Sequence, residues 1–581
     1  MTTQEAPKTW QAPGPGMWER DEAHQSAPFA GYTMALFDAY FSAGMEEGGA
    51  RYGLLFQTFD GRWVDGWAYM RPRIVGAPEK PGPLPPKWVF KLLFKLHPAL
   101  RGRTKAAQAA LAEGRWKQDA DWWVNEGRAS MRARLRSLQS VELRSLNDAA
   151  LQRHHREVLE VLAEGFRIHF RNALAHWIGV GDWLAKTSEW TGTPPEEALH
   201  ALEGSSPFSV DALVYLDRIA TALKTAPGAT DLLTASGDAG ERLTRLRASS
   251  PAVDTAVGEY LDEHGWRIFT GFDVTDQAVI EMPESVLRSI ASRLEKGAES
   301  DRGTRYAAEL RAKVPAQHVA EYDSLFETAR LLYGVRDDDA GMTIHWTMGL
   351  SRRLLLETGR RLAERGTIAE RDLVFDAAIE EVDALLGGEG TGVSGNELIA
   401  RAAMRIANAA NVPPSRLGED EGPPPPDDWM PSAVARVNGA MMLAMAVEVP
   451  PPLAGDDDAK LVKGLGASAG VDEGRACVVQ GPDDFAKLQQ GDILVAQFTT
   501  TAYNVVLPML GGVVTDKGGI LSHAAIVARE YAIPAVVNTG NGTATIPDGA
   551  RIRIDGAAGT VEILSPHSQA DARPAVGSNV V

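Results

Sequence analysis

The residues best placed to do chemistry in this 581-residue chain are Ser522 and His523, inside VVTDKGGILSHAAIVAREYAIPAVV at positions 513–537. Val513, Val514 and Thr515 are β-branched, as are Ile533, Val536 and Val537, so the segment reads as strand, Gly-Gly turn, short helix, strand. Such a βαβ crossover points the turn after its first strand at a site. Gly518 and Gly519 let backbone N–H groups approach a ligand closely. Ser522 is placed to cap the helix, and His523 projects from its first turn. Unpaired N–H groups and the positive end of the helix dipole favour phosphate there. An imidazole is largely neutral at pH 7, so it can attack a phosphoryl group and then carry it. Arg529, one helix length on, serves either as a phosphate contact or as a complement to the negative end of the same helix.

A second cluster lies in VRDDDAGMTIHWTMGLSRR, with Arg336, Asp337, Asp338, His345, Trp346 and Arg352. Steps of seven separate Asp338, His345 and Arg352, so an uninterrupted helix would show them on one face, although Gly341 and Thr343 are potential breaks. A guanidinium can stabilise charge on a moving phosphoryl, while a His or carboxylate can take a hydroxyl proton. Arg336, Asp338 and His345 are the candidate catalytic set; Asp337, Trp346 and Arg352 are candidate substrate contacts. The alternative is a solvated charged face. His24, His169, His176 and His264 read as packing histidines.

The elements that must hold these residues differ in kind. From Met34 to about Ala410 most segments have helical periodicity, as in AALQRHHREVLEVLAEGFRIHFRNALAHW, with Asn147 or Asp148 as its cap. Another helix, SRRLLLETGRRLAERG, is stopped by Gly366. The stretches GEDEGPPPPDDWMP and EVPPPLAGDDDAK are acidic and Pro-rich, the composition of stiff spacers. The chain is therefore multidomain. Residues 1–15 are an expected disordered N-terminus, 16–415 a large mostly α-helical substrate domain, 416–462 a linker region, 463–564 a small α/β domain and 565–581 a disordered tail.

Composition narrows the function. A net charge of −18 argues against nucleic acid or an anionic membrane as main partner. The single Cys477 excludes an intrachain disulfide and suits a reducing, cytoplasmic setting. The N-terminus has no signal-peptide pattern, and no apolar run is long enough to span a bilayer. No GxxxxGK[ST] occurs; GGEGTGVSG reads as a loop and GLGASAG as a turn rather than a cofactor fingerprint.

Gly518, Gly519, Ser522, His523, Ala525, Arg529, Glu530, Ile533 and Pro534 together resemble the phosphohistidine (swivelling) domain of the phosphoenolpyruvate-utilising, or dikinase, enzymes. The resemblance implies that His523 is the phosphorylated residue and that Gly518, Gly519, Ser522 and Arg529 surround the phosphate. Trp18, Asp21, His24 and Pro28, the stretch EYLDEHGWRIFTGFDV with EMPESVLRSI, and the Arg336 helix are similar to the substrate-binding part of rifampin phosphotransferase and phenylphosphate synthase. No ATP-grasp segment resembling theirs is recognisable. The likeness to phenylphosphate synthase therefore implies a separate ATP-grasp subunit that binds ATP with Mg²⁺, no organic cofactor, and a small phenolic acceptor. A rifamycin-like acceptor is the alternative. Rifampin phosphotransferases have a Lys four positions after the Arg, where Ala340 stands here. A third reading is a phosphocarrier that passes its phosphate to another protein.

Overall fold

The computed structural model describes residues 9–565, apart from 23, 26, 81, 203–210, 269–270, 296–301, 389–391, 421, 423, 449–459, 500–502, 504–505 and 521. Its described residues fall into two units, one running to Val447 and one from Glu448 onward.

The first unit is built on a 44-residue helix, Asp148–Thr191. Of the two possible caps, Asn147 is the one used: its side chain accepts the Ala150 N–H at 2.9 Å. Gly192 ends the helix in the left-handed region. Leu151, Val158, Leu162, Phe166, Phe170 and Leu174 are all buried along it. Each contributes about 1.5–3 kcal/mol relative to exposure, which is why so long a helix holds together. Against it pack Gly31–Tyr52 and Val319–Ala340. The latter continues through a π turn, Gly341–Trp346, into Thr347–Glu364.

This unit also contains a four-stranded antiparallel sheet that the helical periodicity did not foreshadow: β1 (Trp18–Arg20), β2 (Phe56–Val64), β3 (Trp67–Ile74) and β4 (Arg416–Leu417), ordered β2-β3-β1-β4. Asp65 and Gly66 both have positive φ, 55° and 82°, and close the β2–β3 hairpin. The same sheet orders part of what was expected to be disordered, since Trp10 donates its indole N–H to Asp65 at 3.0 Å. The expected linker at 416–462 is likewise partly folded. β4 pairs with β1, and the Ser432–Glu448 helix is tied by Arg436 to Asp182 at 2.8 Å and by Asn438 to the Leu55 N–H at 3.0 Å. The polyproline expected at 450–452 lies outside the described residues, as does the tail after Ser565.

The second unit is an eight-stranded mixed sheet. Its strands are β5 (Leu461–Lys463), β6 (Leu465–Ser468), β7 (Val471–Val479), β8 (Ile493–Ala496), β9 (Gly512–Thr515), β10 (Ala535–Val537), β11 (Arg551–Asp555) and β12 (Thr560–Ser565), in the order β5-β12-β11-β7-β8-β9-β10-β6. β7, β8, β9 and β10 run parallel, with Val513 opposite both Leu494 and Ala535. Buried Ile493, Val495, Val514, Val536, Ile552, Ile554 and Val561 make its core. Cys477 is buried in β7, and burial pushes its thiol up to about 11, so it is an inert packing residue. Among the described residues no helix is long and apolar enough to cross a membrane.

Candidate functional site

The carboxyl ends of β8 and β9 lie side by side, and the loops leaving them build the first candidate site. The loop after β9 is pinned by the buried Asp516 carboxylate, which accepts the Thr539 hydroxyl and the Thr543 N–H, both at 3.0 Å, along with the Thr543 hydroxyl. Gly518 sits at φ +99°, and a Cβ there would lie 2.8 Å from Ser522 Cβ, so only glycine fits without strain. Arg529 is buried and donates to the Ile520 carbonyl at 2.5 Å. Of its two sequence readings, neither describes this contact: the guanidinium braces the loop ahead of its own helix. The Gly519 N–H is donated to the Glu448 carbonyl at 2.5 Å.

His523 opens the helix His523–Glu530, with Ser522 at the N-cap position. Ser522 does not cap as the sequence suggested. Its Oγ makes no bond to the helix N–H groups, and it is shielded from solvent with no hydrogen-bond partner among the described residues. The His523 ring is partly exposed, and its Nδ1 lies 3.0 Å from the Thr499 hydroxyl. Thr499 comes from the loop after β8. No motif spacing marked it, although its place just beyond a strand parallel to the one that leads to His523 is a usable signal.

The second cluster is divided by the structure. The π turn Gly341–Trp346 replaces the break expected at Gly341 and Thr343 and adds a residue to the helical register. One extra residue rotates all that follows by about 100° at 3.6 residues per turn. Asp338 therefore turns to the Trp123 indole N–H at 2.9 Å and to Arg128 at 3.0 Å. His345 meets Phe272, ring centroids 4.9 Å apart, and Arg352 meets Glu281 at 2.7 and 2.9 Å. Asp338 and His345 do not share a face as the spacing predicted.

Burial sorts these residues further. Burial raises the Asp338 carboxyl above its usual range despite the Arg128 charge and the Trp123 hydrogen bond. With both oxygens engaged, Asp338 is a structural carboxylate. Arg352 is spent on Glu281 and on the Val274 carbonyl at 2.9 Å, which corrects its assignment as a substrate contact. Trp346 is fully buried with its N–H on Gln139 at 2.8 Å, so it too is core. The Asp337 side chain lies outside the described residues. His345 is buried, while Arg336 remains partly exposed.

Around Arg336 the structure gathers histidines that spacing did not single out. His176 is buried, with Nδ1 3.3 Å from the Leu332 carbonyl; burial and then the Arg336 charge pull it down to about 3. His169 pairs with buried Asp339 at 3.0 Å. His24 keeps half its side-chain surface accessible. Its Nδ1 is 2.9 Å from Asp21, and its ring stands edge-on to Phe272 at 4.9 Å. A separate cavity of about 850 Å³, between the Asp211–Leu223 and Pro251–His264 helices, contains none of these residues. Among the described residues no three His, Cys, Asp or Glu side chains are grouped to hold a metal ion.

Comparison with known proteins matches two segments of the chain. Residues 488–559 match the mobile domain of PEP-utilising enzymes, and residues 169–354 match the fourth domain of rifampicin phosphotransferase. In these two segments the chain is similar to enzymes of the phosphoenolpyruvate-utilising group. It is 27% identical to an uncharacterised phosphotransferase, YvkC, of Bacillus subtilis, over 53% of this chain and 36% of that protein. It is 29% identical to an uncharacterised protein of Mycobacterium tuberculosis over 63% and 38%. A rifampicin phosphotransferase of Streptomyces sviceus is 27% identical over 75% of this chain and 48% of its own length. The chain thus spans between a third and a half of these relatives.

Proposed function

We propose that this chain is the carrier and acceptor part of a phosphotransferase that moves a phosphoryl group through His523 to a hydroxyl of an aromatic compound. The observation that carries this is the His523 site. An imidazole stands at the start of a helix, held at Nδ1 by Thr499, behind a glycine turn and beside a Ser522 hydroxyl that bonds to no described group. With Nδ1 facing the Thr499 hydroxyl, Nε2 is the nitrogen assigned as the nucleophile, in the tautomer that carries its hydrogen on Nδ1. It attacks phosphorus, the bond to the leaving oxygen breaks, and a phosphoramidate remains. A phosphoryl oxygen would then give the Ser522 hydroxyl its partner. In the second half-reaction the acceptor oxygen attacks, the N–P bond breaks, and its electron pair returns to the ring.

The donor in this reading is ATP with Mg²⁺ on a separate ATP-grasp polypeptide: the β-phosphoryl passes to His523, AMP leaves, and water takes the γ-phosphoryl as orthophosphate. Arg336, partly exposed and near enough for its charge to act on His24, stabilises charge on the phosphoryl during transfer. The acceptor class is a small phenol. The names of relatives such as the Streptomyces sviceus protein support a rifamycin hydroxyl at least as well.

The test uses the full chain loaded chemically with phosphoramidate. Acid-labile, alkali-stable label should appear in the wild type and vanish in His523→Ala. The loaded protein should discharge onto one member of a panel of phenol, cresols, 4-hydroxyacetophenone and rifampicin. Arg336→Ala should load normally and discharge slowly. Label that persists in His523→Ala, or a loaded protein inert to every acceptor, would sink the corresponding half of the proposal.

A further inference from the structure

We infer that His24, oriented by Asp21, is the base that takes the proton from the acceptor hydroxyl. This rests on the acceptor reading above and replaces His345 in the role that sequence spacing suggested.

The geometry is that of a His–carboxylate dyad. Asp21 places Oδ1 and Oδ2 at 3.0 and 2.9 Å from His24 Nδ1, and its Oδ1 also accepts the His24 backbone N–H at 3.1 Å. The carboxylate is therefore fixed to the turn that carries the ring, and the side-chain pair is pre-oriented before any ligand arrives. A carboxylate on Nδ1 selects the tautomer with hydrogen there, which leaves Nε2 as a lone pair. No described group bonds to His24 Nε2. Half the His24 side chain is open, whereas His345, beyond Phe272, is only 3% exposed. A base has to reach its proton within about 2.6–3.2 Å, so accessibility decides between the two rings.

The electrostatics suit the task. Desolvation pulls the His24 pKa down, but the Asp21 charge and hydrogen bond outweigh both that and the repulsion from Arg336, so it is raised. The groups facing the ring are Asp21 from its own turn, Phe272 from the segment after the Pro251–His264 helix and Arg336 from the Val319–Ala340 helix. An aromatic edge, a cation and a dyad therefore meet at this half-exposed ring. That is what an aromatic hydroxyl acceptor needs: a ring to pack on, charge for the phosphoryl and a base for the proton. As the acceptor oxygen bonds to phosphorus, its proton passes to Nε2, and the imidazolium is stabilised by Asp21. The N–P bond of the donor breaks with its electron pair going back to the donor ring.

Two measurements test this. In isotope-edited NMR of the full chain, His24 should show the Nδ1–H tautomer when neutral, and its titration midpoint should fall in Asp21→Asn. An Nε2–H tautomer, or a midpoint indifferent to Asp21, overturns the dyad whatever the acceptor proves to be. In discharge of the phosphoramidate-loaded protein onto whichever panel acceptor the wild type uses, His24→Gln should slow transfer by about 10²–10⁴-fold with loading unchanged. Asp21→Asn should move the acid limb of the pH–rate profile to lower pH. Wild-type discharge by His24→Gln overturns the inference. Failure of the wild type to discharge onto any acceptor instead counts against the acceptor reading, and the NMR result still decides the dyad.

Discussion

Replacing Thr499 by Val removes one hydroxyl and keeps the volume, so it isolates the hydrogen bond between Thr499 and His523. The bond is 3.0 Å long, and Thr499 itself is buried. A neutral hydrogen bond of this kind contributes about 0.5–1.5 kcal/mol net. Its loss loosens the ring's orientation, so Nε2 is held less firmly toward the phosphoryl donor. At about 1.4 kcal/mol per tenfold, loading by phosphoramidate should slow by roughly 3–10-fold. The product should also change: the wild type carries phosphate on Nε2, and the variant should admit some on Nδ1. Phosphorus NMR of the denatured protein under alkali separates the two isomers. A wild-type protein loaded on Nδ1, or a Val variant that loads at the wild-type rate on Nε2 alone, would refute the reasoning.

Gly518→Ala should slow loading without unfolding the second unit, because the new Cβ combines a left-handed backbone, costing about 1–2 kcal/mol, with the 2.8 Å approach to Ser522; loading kinetics beside circular dichroism checks this. Arg352→Met should lower the stability of the helical unit by about 2–3 kcal/mol, below the usual 3–5 for a fully buried pair because Glu281 is partly exposed, while His523 still loads; urea unfolding followed through the tryptophans reads it. His176 is neutral in the folded protein down to about pH 3 and titrates near 6.5 when unfolded, so unfolding takes up about one extra proton between those values. Stability conferred by a neutral His176 is therefore full above pH 6.5 and drains away as pH falls through that window. His176→Gln should flatten the slope of stability against pH by about 1.4 kcal/mol per unit, and equal slopes would count against the assignment.

The two candidate sites were legible to different degrees, for a physical reason. The His523 segment is local: strand, turn, helix and strand follow one another within 25 residues, and β-branched runs with paired glycines announce each of them. Thr499 escaped because its link to His523 is made by parallel pairing of β8 with β9, which leaves no mark in spacing. The second cluster is non-local. Asp338, His345 and Arg352 fit a seven-residue step, but a π turn has no reliable sequence signature and it moved them apart. The β2–β3 hairpin did carry its signal, the Asp65-Gly66 pair between FQTFDGRWV and WAYMRPRI, which helical periodicity on either side obscured. His24 looked like a packing residue because nothing in its spacing tells a half-exposed ring from a buried one.

The π turn also couples two distant positions in the chain's history. Its wide loop pushes the Thr343 carbonyl against the long helix, where a Cβ at Gly165 would lie 2.4 Å from that oxygen. An added residue in one helix is thus accommodated by a missing side chain in the other. Relatives that lack the insertion are released from glycine at the equivalent of position 165, and those that keep it are not. The insertion and the glycine should be gained and lost together, so that a contact between helices is written into descent as a length change paired with a substitution.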